Sequence, residues 1–202
     1  MQQDRAPVWI WMAGAAGVAA VIAAGVLTVW GAGAGGTNFA LMVTARWSFL
    51  LFWLAYAGGG LAVLSSGARP IAAHGRELGL SFAAAHLIHI SLVAWLVWIG
   101  KPPNREVFVF FVPPLIVLYL IALASIPALF RKLPHWAWAI LRTGGMSYIL
   151  YAFAADFLNE PFNLNPRHVV FYALFALMCV VAPPLHLLWL ISPLWQTKRA
   201  AR

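Results

Sequence analysis

Long apolar runs separated by short polar connections make up most of this chain. Six such runs can be marked, and at 1.5 Å of rise per helical residue each is about long enough to cross a hydrocarbon core of roughly 30 Å. Their bounds are 8–30, 39–64, 78–99, 107–130, 136–158 and 168–191. The pattern predicts an all-α fold: a single transmembrane domain over residues 1–202, built as a bundle of six membrane-spanning helices.

The first apolar run has to be told apart from a signal peptide, since it follows Arg5 and is rich in small residues. It is longer than the roughly 7–15 residues of a signal h-region, so we expect an uncleaved first span. Its AGAAGVAAVIAAG stretch would let a neighbouring helix approach closely. GAGAGGTN, residues 31–38, predicts a flexible turn before the second span.

A glycine run and two proline pairs interrupt three of the predicted spans. YAGGGLAV lies in the second span, and Pro113–Pro114 and Pro183–Pro184 lie in the fourth and sixth. These positions predict helix kinks, as plain architecture more often than as a functional device.

Composition requires the bilayer as solvent. Hydrophobic residues make up 63% of the chain and charged residues only 9%, with a mean hydropathy of +0.85. A soluble domain carries about a quarter charged residues, so membrane lipids are the expected surroundings. The net charge of +8 does not indicate nucleic acid, because the cations lie in short loops and at the termini. The single cysteine, Cys179, allows neither an internal disulfide nor a thiolate metal site.

Cations are distributed unevenly between the two predicted sides of the membrane. Eight would lie on the side of the termini and three on the other, so the positive-inside rule predicts cytoplasmic termini in a multi-pass protein of the inner (plasma) membrane. The eight are Arg5, Arg69, Arg76, Arg131, Lys132, Lys198, Arg199 and Arg202, and the three are Lys101, Arg105 and Arg167. No predicted loop is long enough for a flavin or NAD(P)H domain.

Several polar residues lie deep in the predicted spans, where ionisable side chains are costly and mark candidate functional sites. At 1.5 Å per residue, His86 lies about 12 Å and Arg142 about 9 Å inside the cytoplasmic ends of their spans, and His186 is at a similar depth. His89 is one turn deeper and on the same face as His86. Membrane histidines serve as haem ligands, proton-relay members or interhelical hydrogen-bond partners, and the residues alone leave these open.

Arg46 and Asp156 form a second candidate group, in the predicted outer half of the bilayer. Each alone would be costly there, and together they would neutralise one another. A structural ion pair between helices is the favoured interpretation, ahead of a proton or substrate path. Arg46 is also a candidate anchor for a haem propionate or a quinone head, because a guanidinium binds a carboxylate in a bidentate way.

Three stretches resemble the ferric reductase-like transmembrane domain family, which includes the haem b subunit of bacterial methionine sulfoxide reductase systems and the membrane part of NADPH oxidases. HGRELGLSFAAAHLIHISLVAW resembles the family's third helix, with Arg76, then LGL, then His86. ARWSFLLFWLAYAGGGLAVL resembles its arginine-led second helix, with Arg46 at the matching position, and LPHWAWAILRTGGMSYILYAF resembles its fifth. The resemblance covers about residues 44–158 and implies a helical bundle that binds haem b.

The fifth helix departs from the family's pattern at the haem ligands. Members with haem carry a histidine after a leucine there, and often another further along, whereas this chain has Leu141–Arg142 and Ala155–Asp156. Arginine does not ligate haem iron, so the family's ligation between helices three and five is not available. His186 would supply a replacement ligand if spans three and six face each other.

Two functional hypotheses remain. In the first, the chain is a b-type haem or quinone-linked electron-transfer subunit of an oxidoreductase, with a separate redox protein as partner. His86 is then the leading axial ligand of the iron, and His89 or His186 is secondary. Arg46 and Arg142 anchor the propionates.

In the second hypothesis, the chain binds no cofactor and is a scaffold or accessory subunit of a larger membrane complex, with Arg142 hydrogen-bonded to the histidines of helix three. A transporter is a weaker third hypothesis, since two charges and scattered proline pairs do not make a pathway.

Overall fold

The computed structural model describes residues 7–126, 134–159 and 166–200, with side chains described for 7–126, 134–158 and 172–192. Over these ranges the chain forms seven α-helices, a short 3₁₀ turn and no strand, which confirms the all-α prediction for them. The elements are α1 (Val8–Trp30), α2 (Ala34–Leu64), the 3₁₀ turn Ser66–Ala68, α3 (Arg69–Ala73), α4 (Gly75–Trp98), α5 (Arg105–Ala124), α6 (His135–Asn159) and α7 (Pro166–Ala200).

Five of these helices are long and apolar enough to cross a membrane. They are α1, α2, α4, α5 and the Tyr172–Ser192 segment of α7. This agrees with a multi-pass membrane protein. The fifth predicted span, 136–158, corresponds to α6, which has 25 residues but lower hydropathy, because Arg142, Asp156, two glycines and a serine interrupt its apolar residues.

The predicted turn at residues 31–38 is mostly helical, which corrects the sequence-based boundary. The chain reverses within residues 31–33, where Gly31 adopts a φ of 78°, and α2 already begins at Ala34. A Cβ on Gly36 would collide with the Gly31 carbonyl oxygen, so a glycine is required at this close approach. The predicted end of the fourth span at residue 130, and Arg5, Arg131, Lys132 and Arg202, lie outside the described residues.

The chain divides into two compact units. Unit 1 comprises Met1–Phe52 and Arg76–Leu133, and unit 2 comprises Trp53–Gly75 and Pro134–Arg202. Unit 1 therefore contains α1, the first part of α2, nearly all of α4, and α5. Unit 2 contains the rest of α2, the 3₁₀ turn, α3, α6 and α7. The prediction of a single transmembrane domain over residues 1–202 stays a prediction.

Interhelical hydrogen bonds to backbone carbonyls hold unit 1 together. Trp47 Nε1 donates to Ala15 O on α1 at 3.0 Å, and Tyr119 of α5 donates to Ala83 O on α4 at 3.2 Å. Small buried side chains fill the contact between α1, α2 and α4, where Ala40 is fully buried. In lipid, helices associate through such packing and hydrogen bonds, because the hydrophobic effect does not drive them together.

Close backbone approach dominates unit 2. A Cβ on Gly60 of α2 would lie 2.8 Å from Leu185 Cα and still closer to the Leu185 carbonyl group, so α2 and α7 touch almost backbone to backbone. Trp53 Nε1 donates to Met178 O on α7 at 2.9 Å. The YAGGGLAV stretch thus lies in an uninterrupted helix, and Gly60 there provides contact with α7.

Candidate functional site

The two histidines of α4 form a stacked pair inside unit 1. The ring centroids of His86 and His89 are 4.9 Å apart and the ring planes differ by 16°. The i, i+3 spacing places both on one helix face, as predicted. Both rings therefore present their nitrogens to one side of the helix, and the pair cannot ligate one iron from opposite faces.

Thr44 of α2 orients His89. Thr44 Oγ1 lies 2.8 Å from Ala40 O and 3.2 Å from His89 Nδ1. A hydroxyl carries one hydrogen and a carbonyl oxygen only accepts, so Thr44 donates to Ala40 O and accepts from the His89 Nδ1–H. A neutral His89 then keeps its proton on Nδ1 and has an unprotonated Nε2, which is the form that binds metals.

His86 has a buried ring nitrogen that no group in the described part of the chain satisfies. Its ring lies 5.5 Å from that of Phe82 and packs on His89. His86 Nδ1 is buried and hydrogen-bonds to no residue of the described ranges. Such an atom costs about 1–3 kcal/mol, and a ligand, an ion or a water is its usual explanation. His86 Nδ1 is therefore a place in unit 1 where a group from outside the chain would satisfy a buried polar atom.

Arg46 lies in unit 1, on α2 close to Thr44. Its Nη1 donates to Met42 O one turn earlier, at 2.7 Å. Asp156, its predicted partner, lies in α6 of unit 2. The ion pair between Arg46 and Asp156 and the propionate-anchoring role of Arg46 stay predictions.

His186 lies in unit 2, on α7, and is held by Tyr56 of α2. The two rings stack with centroids 4.3 Å apart and planes 17° from parallel. His186 Nδ1 lies 3.2 Å from Tyr56 O, and since the carbonyl only accepts, Nδ1 carries the proton. Tyr56 is itself fixed by a 3.1 Å hydrogen bond between its hydroxyl and that of Ser147 on α6. His186 Nε2 is buried and has no hydrogen-bond partner in the described part of the chain.

Arg142 of α6 lies beside this histidine. Its guanidinium carbon is 5.5 Å from the ring centroid of Trp189, a cation–π contact. The two side chains share a cavity of about 60 Å³ with Tyr56 and His186. The structure therefore brings together two predicted site residues, Arg142 and His186, around aromatic side chains of unit 2.

Sequence reasoning missed three residues that shape these sites: Thr44, Tyr56 and Trp189. Thr44 lies two positions before Arg46 and was read only as the start of a family-like stretch. Tyr56 directly precedes the AGGG run, which predicts a kink, and Trp189 lies in an apolar run that predicts only a span. The available signal was their position on helices that already carried polar candidates.

No family model, curated protein or solved structure matches this chain. Over residues 7–126, 134–159 and 166–200, no group of three or more His, Cys, Asp or Glu side chains is arranged to hold a metal ion. A cofactor that brings most of its own metal ligands, such as haem, needs only one or two protein ligands.

Proposed function

We propose that this chain is a membrane subunit of six spans with both termini in the cytoplasm, which binds haem b and transfers electrons to or from a separate redox protein. The proposal extends the resemblance to ferric reductase-like domains. One observation carries it: the stacked pair on α4, in which His86 Nδ1 is buried without a partner. The five helices able to span a membrane supply the apolar surroundings that a haem requires.

Unit 1 can supply one imidazole ligand to a haem iron. A haem iron needs an unprotonated imidazole nitrogen. The buried His86 Nδ1 has no hydrogen-bond partner in the described ranges, so it would be available to the iron when the ring carries its proton on Nε2. His89 is the second candidate, because Thr44 fixes its proton on Nδ1. The haem roles that the sequence analysis gave to His186, Arg46 and Arg142 stay predictions.

The protein's own contribution would be to hold and insulate the cofactor. A bound haem b supplies a one-electron redox centre. The imidazole of His86 would hold the iron, and Phe82, whose ring lies 5.5 Å from that of His86, would exclude water from that side. The buried, low-dielectric surroundings would tune the potential, because they disfavour a net charge on the cofactor.

A second candidate function, a cofactor-free scaffold or accessory subunit, is favoured by Arg142. The residue stands where haem-binding members of the resembled family carry a ligand histidine, and its guanidinium packs on Trp189. In that case His86 and His89 would be polar contacts between helices. Haem content separates the two functions directly.

The experiment compares haem content among histidine variants purified in detergent from cells supplied with ample haem. We expect His86→Ala to lose the Soret band. His74→Ala is the matched control, because His74 ends the short helix α3 and bonds to Pro70 O in the same segment. Full haem content in His86→Ala together with loss of haem in His89→Ala would show that the iron ligand is His89, one turn further along α4. Full haem in both variants would reject α4 as the ligand helix.

A further inference from the structure

The cavity in unit 2 is lined by a cation, and none of the described residues that line it carries a carboxylate. It is lined by Arg142, His186, Tyr56, Trp189, Met146 and Gly59, with small residues completing the wall. The indole of Trp189 positions the guanidinium but neutralises none of its charge. An arginine at this depth in a membrane protein is stabilised by pairing with an anion. The lining therefore favours a negatively charged ligand.

His186 adds a requirement for a hydrogen-bond donor. Its Nδ1–H is committed to Tyr56 O, so the Nε2 of the neutral ring only accepts. That nitrogen is buried and accepts from no residue of the described ranges. A ligand that satisfies both side chains needs an anionic oxygen for Arg142 and a hydroxyl for His186.

The size and position of the cavity restrict the ligand further. A volume of about 60 Å³ is well below the roughly 300 Å³ at which sites for drug-sized molecules begin, so it holds one polar head and not a ring system. Ala72 of the short helix α3 and Gly75 complete the lining. These residues follow the end of α2 at Leu64, about 12 Å beyond Tyr56 by helical rise. The cavity therefore opens near the end of a span, at the depth that lipid headgroups reach.

We infer that this cavity binds the head of an anionic glycerophospholipid, with the phosphodiester against Arg142 and a glycerol hydroxyl donating to His186 Nε2. Phosphatidylglycerol has this combination of groups. Phosphatidylcholine has the phosphate but no hydroxyl or ammonium hydrogen to donate. All the residues that the inference uses lie in unit 2, and it assigns Arg142 and His186 to the lipid in place of the haem roles predicted for them. The candidate haem ligands of unit 1, His86 and His89, are not affected by it.

The test measures lipid retention by native mass spectrometry and affinity by titration into nanodiscs that contain phosphatidylglycerol or phosphatidylcholine. The wild-type chain should retain phosphatidylglycerol preferentially. Arg142→Gln should weaken that binding by about tenfold or more, the usual effect of losing a charge-assisted hydrogen bond. Arg142→Lys should recover part of it. Arg69→Gln removes an exposed cation at the start of α3, outside the cavity, and should change the affinity little.

His186→Phe tests the hydroxyl contact. Phenylalanine keeps a ring against Tyr56 but has no Nε2, so the preference for phosphatidylglycerol over phosphatidylcholine should shrink. Equal losses in Arg69→Gln and Arg142→Gln would overturn the inference, since they would indicate only general surface charge. Displacement of the lipid by an equal concentration of free glycerol phosphate would overturn it as well, because the ligand would then be soluble.

Discussion

Replacing Gly60 by alanine tests the packing of unit 2 most sharply. A Cβ at this position would lie 2.8 Å from Leu185 Cα and would overlap the Leu185 carbonyl group. Ordinary contacts of this kind begin near 3.4 Å. Because the new Cβ would collide with backbone atoms of Leu185, no change of side-chain rotamer relieves the collision. Helix α7 must move away from α2 by about 1 Å or more, because the Leu185 carbonyl oxygen is the atom nearest to the new Cβ.

Two opposing effects set the change in the free energy of unfolding that Gly60→Ala causes. Alanine favours the helical conformation over glycine by about 1 kcal/mol. Overpacking costs about 1–3 kcal/mol, and displacement of α7 also strains the hydrogen bond from Trp53 to Met178 O, worth about 0.5–1.5 kcal/mol. We therefore expect the free energy of unfolding to fall by about 1–3 kcal/mol. For a chain of this size, that lowers the melting temperature by roughly 2–12 °C.

The assay is the apparent melting temperature of the purified protein in detergent, compared with Gly144→Ala. Gly144 lies in α6 of the same unit, and nothing lies within 4 Å of a Cβ built there. That control receives the gain in helix propensity without the collision, so its melting temperature should be unchanged or slightly higher. A Gly60→Ala protein as stable as Gly144→Ala would refute the backbone contact between α2 and α7.

Of three further predictions, two concern polar residues of the spans and one concerns the orientation of the chain in the membrane. Thr44→Val leaves the His89 Nδ1–H without its acceptor, so the melting temperature should fall, whereas Thr44→Ser should restore it; an unchanged Thr44→Val protein would contradict the hydrogen bond. Asp156→Asn should destabilise the wild type more than it destabilises an Arg46→Leu background, and additive losses in this double-mutant cycle would reject their ion pair. A fluorescent protein fused after Arg202 should fluoresce and an alkaline phosphatase fused there should be inactive, and the opposite pattern would reverse the predicted orientation.

The apolar runs allowed the long helices to be predicted, because a helix that faces lipid must be apolar over most of its length. The 3₁₀ turn and α3 were not predicted. They are short, lie between two spans and carry no apolar run of their own. The start of α2 was missed for a related reason. Gly35 and Gly36 are typical turn residues, yet here they lie in the first turn of α2, where Gly36 allows a close approach to the Gly31 carbonyl group.

For the candidate sites, contacts within one helix could be predicted and contacts between helices could not. The stacking of His86 on His89 follows from a spacing of three residues. The contact between Thr44 and His89 joins residues 45 positions apart, and that between Tyr56 and His186 spans 130 positions. Such pairs depend on which helices pack together and in which register, and the periodicity of a single helix carries no information on either.

The visible absorption spectrum of the wild-type protein tests the proposed function most directly. The protein would be purified in detergent after expression with ample haem, and its dithionite-reduced minus oxidised spectrum recorded with a pyridine haemochrome assay for stoichiometry. We predict a sharp α band and a stoichiometric amount of haem b relative to protein, lost in His86→Ala. A featureless spectrum would contradict the electron-transfer proposal and leave the scaffold function in its place.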